Sequence, residues 1–181
     1  MKAYWIDLND VVQHPGRRVE YPLEIWLERE EAPPLAEPLR GTLVAESGGR
    51  IVRLHGEFHT VVWLECGRCL SYFQLPVDFE LHEEFPLQGI PSGVSSAGFA
   101  TVEDKDSFPV FEGNLLRADD LLRQYLLLEL PMAPVCRDDC KGLCPSCGHN
   151  LNEGECACAP RKGHPAFEAL ARAWYTDEET N

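Results

Sequence analysis

Arg50-Ile51-Val52-Arg53-Leu54-His55-Gly56-Glu57-Phe58-His59-Thr60-Val61-Val62-Trp63-Leu64 is the stretch that decides the fold. Val52, Leu54, Phe58 and Val62 fall on one side at a spacing of two, with Arg53, His55, Glu57 and His59 on the other. That is the pattern of a half-buried antiparallel strand. A second alternation covers 72–85, where Phe73, Leu75, Val77, Phe79 and Leu81 oppose Gln74, Asp78, Glu80 and His82. The two runs flank Cys66-Gly67-Arg68-Cys69, which puts that motif at a hairpin end.

Upstream, 21–28 and 39–46 are weaker strand candidates, separated by the turn-prone Glu31-Ala32-Pro33-Pro34. Ser47-Gly48-Gly49 predicts a hairpin turn into the first run. Downstream, ten of the twenty-four residues in 86–109 are Gly, Pro or Ser, and the acidic Glu103-Asp104-Lys105-Asp106 lies among them, which reads as a mobile loop. The period then becomes helical over 117–130. Ala118, Leu121, Leu122, Tyr125 and Leu128 share one stripe, Asp119, Asp120 and Arg123 lie opposite, and Pro131 stops the helix. A last helix is expected from His164-Pro165, with Phe167, Leu170, Ala171 and Trp174 on one face.

The expected class is therefore α+β: an antiparallel sheet or partial barrel with one or two helices, followed by a cysteine-rich segment. Residues 1–130 form the β-rich core with its leucine-rich helix, 131–163 the cysteine-rich segment, and 164–181 a helix docking on the core.

A chain of 181 residues is long enough to bury a hydrophobic core. Hydrophobic content of 44% with 25% charge excludes wholesale disorder and fibrous classes. Thirty acidic against sixteen basic residues give a net charge of -14, which opposes any wholesale coating of nucleic acid. The charge is uneven. Residues 71–130 carry eleven acids and three bases, whereas 131–163 carry four of each. No stretch approaches the roughly 18 apolar residues of a membrane helix, and the start has no signal-like apolar region, so a cytoplasmic protein without a membrane partner is expected.

Eight cysteines are the anomaly. In a reducing cytosol, clustered cysteines bind metal or do thiol chemistry more often than they form disulfides. The tail places Cys136, Cys140, Cys144, Cys147, Cys156 and Cys158 within twenty-three residues. Cys144-Pro145-Ser146-Cys147-Gly148 has the spacing that aims two thiolates at one tetrahedral ion, and its glycine permits a positive φ in the tight turn. Thiolate ligands suit Zn2+, with an iron-sulfur cluster as the competitor. Cys66-x2-Cys69 leads into a strand and not a helix, so a second metal half-site is the better reading than a redox dithiol. Eight thiolates serve one or two zinc ions. The two-ion arrangement groups Cys144, Cys147, Cys156 and Cys158 in one site and Cys66, Cys69, Cys136 and Cys140 in the other. His55 and His59 sit on the polar strand face and are read as solvated. His149 is read as a hydrogen-bonding neighbour of the knuckle.

No Gly-rich phosphate loop, His-Glu-x-x-His, Gly-x-Ser-x-Gly or recognisable carboxylate pair is present, so neither a catalytic residue set nor a small-molecule substrate is expected. Leu130-Pro131, Cys136, the run Cys140-Lys141-Gly142-Leu143-Cys144-Pro145-Ser146-Cys147-Gly148-His149-Asn150-Leu151-Asn152, and Cys156-Ala157-Cys158 resemble the YceD family. Cys66-Gly67-Arg68-Cys69-Leu70 matches that family's upstream block, C-x-R-C-L. The resemblance covers about 60–158. It implies a bacterial or plastid factor for accumulation of the large-subunit ribosomal RNA, metal-binding, without enzyme activity. Family members carry Asp-Pro-Arg before the last helix, and His164-Pro165-Ala166 stands there in this chain.

On that reading the partners are large-subunit ribosomal RNA, a ribosomal protein, or both. The candidate RNA contacts are Arg68, Arg137, Lys141, Arg161 and Lys162, on or near the cysteine loops. The acidic 71–130 region suits a basic ribosomal protein. The alternatives are a thiol-disulfide or redox-sensing protein using Cys66 and Cys69, and a zinc-dependent DNA-binding regulator, which lacks a basic recognition helix.

Overall fold

The period-two runs become the long strands of an antiparallel meander. In chain order the elements of this computed structural model are β1 (Trp5–Asp7), α1 (Asn9–Gln13), β2 (Arg18–Ile25), β3 (Leu35–Ser47), β4 (Ile51–Glu65), β5 (Tyr72–Gly89), β6 (Ala100–Val102), β7 (Phe111–Glu112), β8 (Leu115–Arg117) and α2 (Ala118–Glu129). The structure describes residues 4–27, 32–158 and Phe167. The helix expected over 164–181 therefore lies outside the described residues, Phe167 apart, as do Arg161 and Lys162. The chain divides into two units. One holds Met1–Cys66 with Ser71–Cys136, and the other holds Gly67–Leu70 with the chain from Arg137.

In the first unit, β2-β3-β4-β5-β6 make a five-stranded sheet and β1-β8-β7 a three-stranded one, giving with the two helices an α+β fold. β4 and β5 pair without a shift from Ile51↔Pro86 to Glu65↔Tyr72. Alternation is long on both strands, and a one-residue slip would turn every apolar side chain outward, so the pattern itself sets this register. Val52, Leu54, Phe58 and Val62 are buried on β4, and Val77, Phe79, Leu81 and Phe85 on β5. Val11 and Val12 of α1 and Leu121, Leu122 and Leu126 of α2 join the same core. Each such side chain contributes about 1.5–3 kcal/mol by leaving water.

Two details explain departures from plain alternation. Thr60 points inward with 0% exposure, and its hydroxyl donates to the Glu37 carbonyl at 2.8 Å, where the β3–β4 register shifts. Gly41 lies directly across from Phe58. A Cβ at Gly41 would meet the Glu57 carbonyl oxygen and the Phe58 ring, and one at Gly56 would meet the Thr42 carbonyl oxygen. Hydrogen at both positions is what lets the phenyl ring lie against the backbone.

Segment 86–109 differs from its compositional reading, because β5 runs on to Gly89 and β6 occupies Ala100–Val102. β6 pairs with the end of β5 from Leu87↔Val102 to Gly89↔Ala100, and side chains bond the backbone around it. Gln13 Nε2 donates to the Ala100 carbonyl at 2.7 Å, and its Oε1 accepts from the amides of Ala100 and Ser92. Asn114 accepts from the Val102 amide at 2.9 Å, while Asp104 accepts from the amide of Val110 at 2.7 Å. On α2 the buried stripe ends at Leu126, four residues after Leu122, and Leu128 is 80% exposed. Asp120, placed by periodicity on the outer side, is buried and pairs with Arg117 at 3.1 Å.

Candidate metal centre

Cysteine spacing becomes geometry through two turns of the same construction. In Cys144-Pro145-Ser146-Cys147-Gly148, the Cys144 amide donates to the His149 carbonyl at 2.8 Å, and Gly148 adopts φ +74°. In Cys66-Gly67-Arg68-Cys69-Leu70, the Cys66 amide donates to the Ser71 carbonyl at 3.0 Å, and Leu70 adopts φ +58°. Each turn closes a hydrogen bond from its first cysteine to the fifth residue on and needs a left-handed residue directly after its second cysteine. Glycine meets that need without strain, and leucine does not.

The eight cysteines gather into two groups of four, Cys66 with Cys69, Cys136 and Cys140, and Cys144 with Cys147, Cys156 and Cys158. Within each group the sulfur atoms all lie within 4.8 Å of one another. Four thiolates at about 2.3 Å around a tetrahedral ion would sit about 3.8 Å apart, so both groups can hold a metal ion. In the first group Cys66, Cys69 and Cys140 are buried. In the second, Cys144 is buried and Cys147 exposed.

Electrostatics in the second group favour the same chemistry. The Cys144 thiol is brought down to about 6 by hydrogen bonds from the Cys147 and Ser146 amides, the latter 3.4 Å from its sulfur. Cys158 is pushed up to about 12, chiefly by its hydrogen bond with the Cys147 thiol, and Cys156 is also raised. One thiolate is thus ready, while its neighbours resist further negative charge. A divalent cation supplies the compensation that lets all four ionise.

Asn152 organises the loop after the knuckle. Its Oδ1 accepts from Arg137 Nη2 at 2.8 Å and from the Lys141 amide at 2.9 Å, and its Nδ2 donates to the Cys140 sulfur at 3.3 Å. Gly142, at φ +74°, lets the chain pass the Arg68 carbonyl oxygen, which a Cβ would approach to 3.1 Å. Sequence reading missed Asn152 as a functional residue. Its signals were its place at the end of the family-like run from Cys140 and the Asn-x-Asn spacing of Asn150 and Asn152.

Three of the cations expected to contact RNA lie among the described residues. Arg68 Nη1 donates to the carbonyls of Asp138 and Cys140, at 3.1 and 3.2 Å. Arg137 also pairs with Asp139 at 3.3 Å, and both Arg137 and Lys141 have exposed side chains. His149 contributes its carbonyl to the knuckle turn. His59 bonds Asp78 at 2.8 Å on the open sheet face.

An antiparallel sheet whose hairpin end carries one cysteine turn, followed by a segment carrying the other, defines a class of α+β proteins with two four-cysteine sites. Residues 54–172, which include both cysteine blocks, match the family described as "Large ribosomal RNA subunit accumulation protein YceD". The chain belongs to the YceD family. It is 31% identical over 157 residues to "Large ribosomal RNA subunit accumulation protein YCED homolog 1, chloroplastic" of Zea mays, covering 75% of this chain and 53% of that protein. The Arabidopsis thaliana protein of the same name is 29% identical over 139 residues, covering 66% of this chain and 43% of the relative. An uncharacterized protein of Mycobacterium tuberculosis is 37% identical over 84 residues, 46% of this chain and 37% of its own length. The chain spans about half the length of the curated relatives it matches, or less. No solved structure matches. Among the described residues, no helix is long and apolar enough to cross a membrane.

Proposed function

We propose that this protein is a non-catalytic, cytoplasmic factor for accumulation of the large-subunit ribosomal RNA, with each cysteine group holding one zinc ion. The observation that carries the reading is the coincidence of family and geometry: the matched residues 54–172 contain both cysteine blocks, and their sulfur atoms gather into two tetrads. Zinc supplies four fixed bonds and no redox chemistry, so its work is to hold the loops around residues 66–70 and 136–158 in one shape. Those loops contact ribosomal RNA, a ribosomal protein, or both. Arg68, Arg137 and Lys141 are exposed cations there, and Arg161 and Lys162 extend the basic stretch in sequence.

The redox reading is weaker for a physical reason. Cys66 and Cys69 are buried, and β5 follows them where a thioredoxin-type dithiol would have a helix to lower its thiol pKa.

Native mass spectrometry and depletion test the two halves. Two zinc ions per chain are expected, with thiol alkylation only after chelation. Depletion in cells should lower large-subunit ribosomal RNA relative to small-subunit RNA, and crosslinking should recover that RNA or ribosomal proteins. Bound iron, or an unchanged RNA ratio, would overturn the corresponding half.

A further inference from the structure

The outer face of the sheet is an unpartnered surface whose charge is arranged in rows. The row Arg18, Glu46, Arg53, Glu84 alternates in sign across β2 to β5, as does Glu24, Arg40, His59, Asp78 if the histidine is counted as a cation. These rows are internally satisfied, with Arg53–Glu84 at 2.7 Å, Arg40–Glu24 at 3.3 Å and His59–Asp78 at 2.8 Å. Arg18 is held by Glu20 at 3.2 Å.

Two rows lie between them, Glu20, Val44, His55, His82 and Pro22, Thr42, Glu57, Glu80, and the second is not satisfied. Pro22 and Thr42 lead to Glu57 and Glu80, which face each other directly across β4 and β5. Like charges so placed are destabilising, and every arginine of the face is already engaged elsewhere. Among the described residues Glu80 has only His82 as an ion-pair partner, at 3.6 Å, and Glu57 has none. Two concavities of about 500 Å³ open on either side, and Glu57 and Glu80 line both. Next to them His55 and His82 stand opposite with ring planes 9° apart and centroids 6.4 Å apart, a flat aromatic wall. Counted over these four rows, seven carboxylates stand against three guanidiniums.

From this pattern we infer that the outer face of β2–β5 docks a basic, arginine-containing segment of a partner protein in extended conformation. A guanidinium between Glu57 and Glu80 makes paired, charge-assisted hydrogen bonds and removes their repulsion, and its plane matches the imidazole wall. Alternate residues of an extended chain then fall into the two concavities. Phosphate is repelled by the same surface, so this is a protein-binding face and not an RNA-binding one. The inference rests on the assembly reading above, for which it names the chemistry of a protein partner.

The test uses the full-length, zinc-loaded protein and a fluorescein-labelled decapeptide of alternating arginine and threonine at physiological salt. Glu57→Gln with Glu80→Gln should weaken binding about tenfold or more, the scale of losing one well-paired contact. The charge-matched Asp106→Asn with Glu112→Gln should change it less than about twofold, as expected of distant charge under screening. Thermal unfolding of E57Q/E80Q should show no loss of stability. Equal weakening in the two double variants, or no measurable binding by the wild type, overturns the inference. So does weakened binding of a large-subunit RNA fragment by E57Q/E80Q with the peptide unaffected. Because the peptide assay involves no ribosome, it fails independently of the depletion experiment, which alone judges the assembly reading.

Discussion

Leu70 holds a backbone angle that its own side chain resists. A left-handed conformation costs a non-glycine residue about 1–2 kcal/mol, and the side chain is 55% exposed, so burial offers little in return. Leu70→Gly should raise the unfolding free energy measured in urea by about 0.5–1 kcal/mol after the greater unfolded-state freedom of glycine is subtracted. Leu70→Val, β-branched, should lower it. A destabilised glycine variant with full metal content would defeat this account of the turn. Asn152 makes a different prediction, since it grips Cys140 through an N–H···S bond. Asn152→Ala should weaken retention of one ion by about tenfold in a chelator competition followed by native mass spectrometry, the usual scale for a residue that orients a ligand. Unchanged retention of both ions would show that the bond is incidental. The cysteine spacing was readable because each turn repeats C-x-x-C. The strain at Leu70 was not, because nothing in a leucine announces a positive φ.

The same contrast holds among the elements. β4 and β5 were legible because fifteen paired positions carry one alternation. β6, β7 and β8 have three residues or fewer, too few to show any period, and Gln13, Asn114 and Asp104 hold their surroundings from elsewhere in the chain. On α2 the stripe was visible but its end was not: Leu128 matches the helical period and yet lies in the exposed last turn. Tyr125 shows how that helix is tied to the sheet. Its hydroxyl lies 2.9 Å from Glu83 Oε1 and 3.0 Å from the His82 carbonyl. Burial, then the Glu83 carboxylate, push its pKa from 10.0 up to about 12. A folded-state value above the unfolded one gives stability that is complete below pH 10 and is lost as the pH rises toward 12, because the unfolded chain releases its proton first. Tyr125→Phe should therefore show a shallower fall in Tm between pH 10 and 12 than the wild type. Parallel curves would remove this role.

For the whole molecule, net charge alone was a poor guide. Of the total of -14, -11 falls on residues 1–130 and -3 on 164–181, while the cysteine segment 131–163 is neutral, so the sign of the whole chain does not describe its parts. The two units also differ in what they hold. Among the described residues the buried apolar core lies in the first unit, whereas the second carries Cys69, Cys140 and the Cys144–Cys158 tetrad. Gly41→Ala should probe the first, because its Cβ would run into the Glu57 carbonyl oxygen. We expect a loss of about 1–3 kcal/mol in urea unfolding, against less than about 0.5 for Gly154→Ala, which meets nothing within 4 Å. Equal stabilities would mean that the strands part easily around Phe58.

The spacing of the two tetrads along the chain gives them different histories. Cys144 to Cys158 spans 15 residues, so that tetrad can assemble locally, whereas Cys66 to Cys140 spans 75 and must wait for the hairpin between to be made and paired. By loop closure alone the distant set is harder to gather by about 1.4 kcal/mol, roughly tenfold. During synthesis the Cys66 half-site emerges first and is completed late, so an ion held there would be a record that the sheet has folded. A strained sheet such as Gly41→Ala should emerge from cells short of that one ion while keeping the other. A chelator applied to the finished protein should act in the reverse order, stripping the local, partly exposed tetrad first.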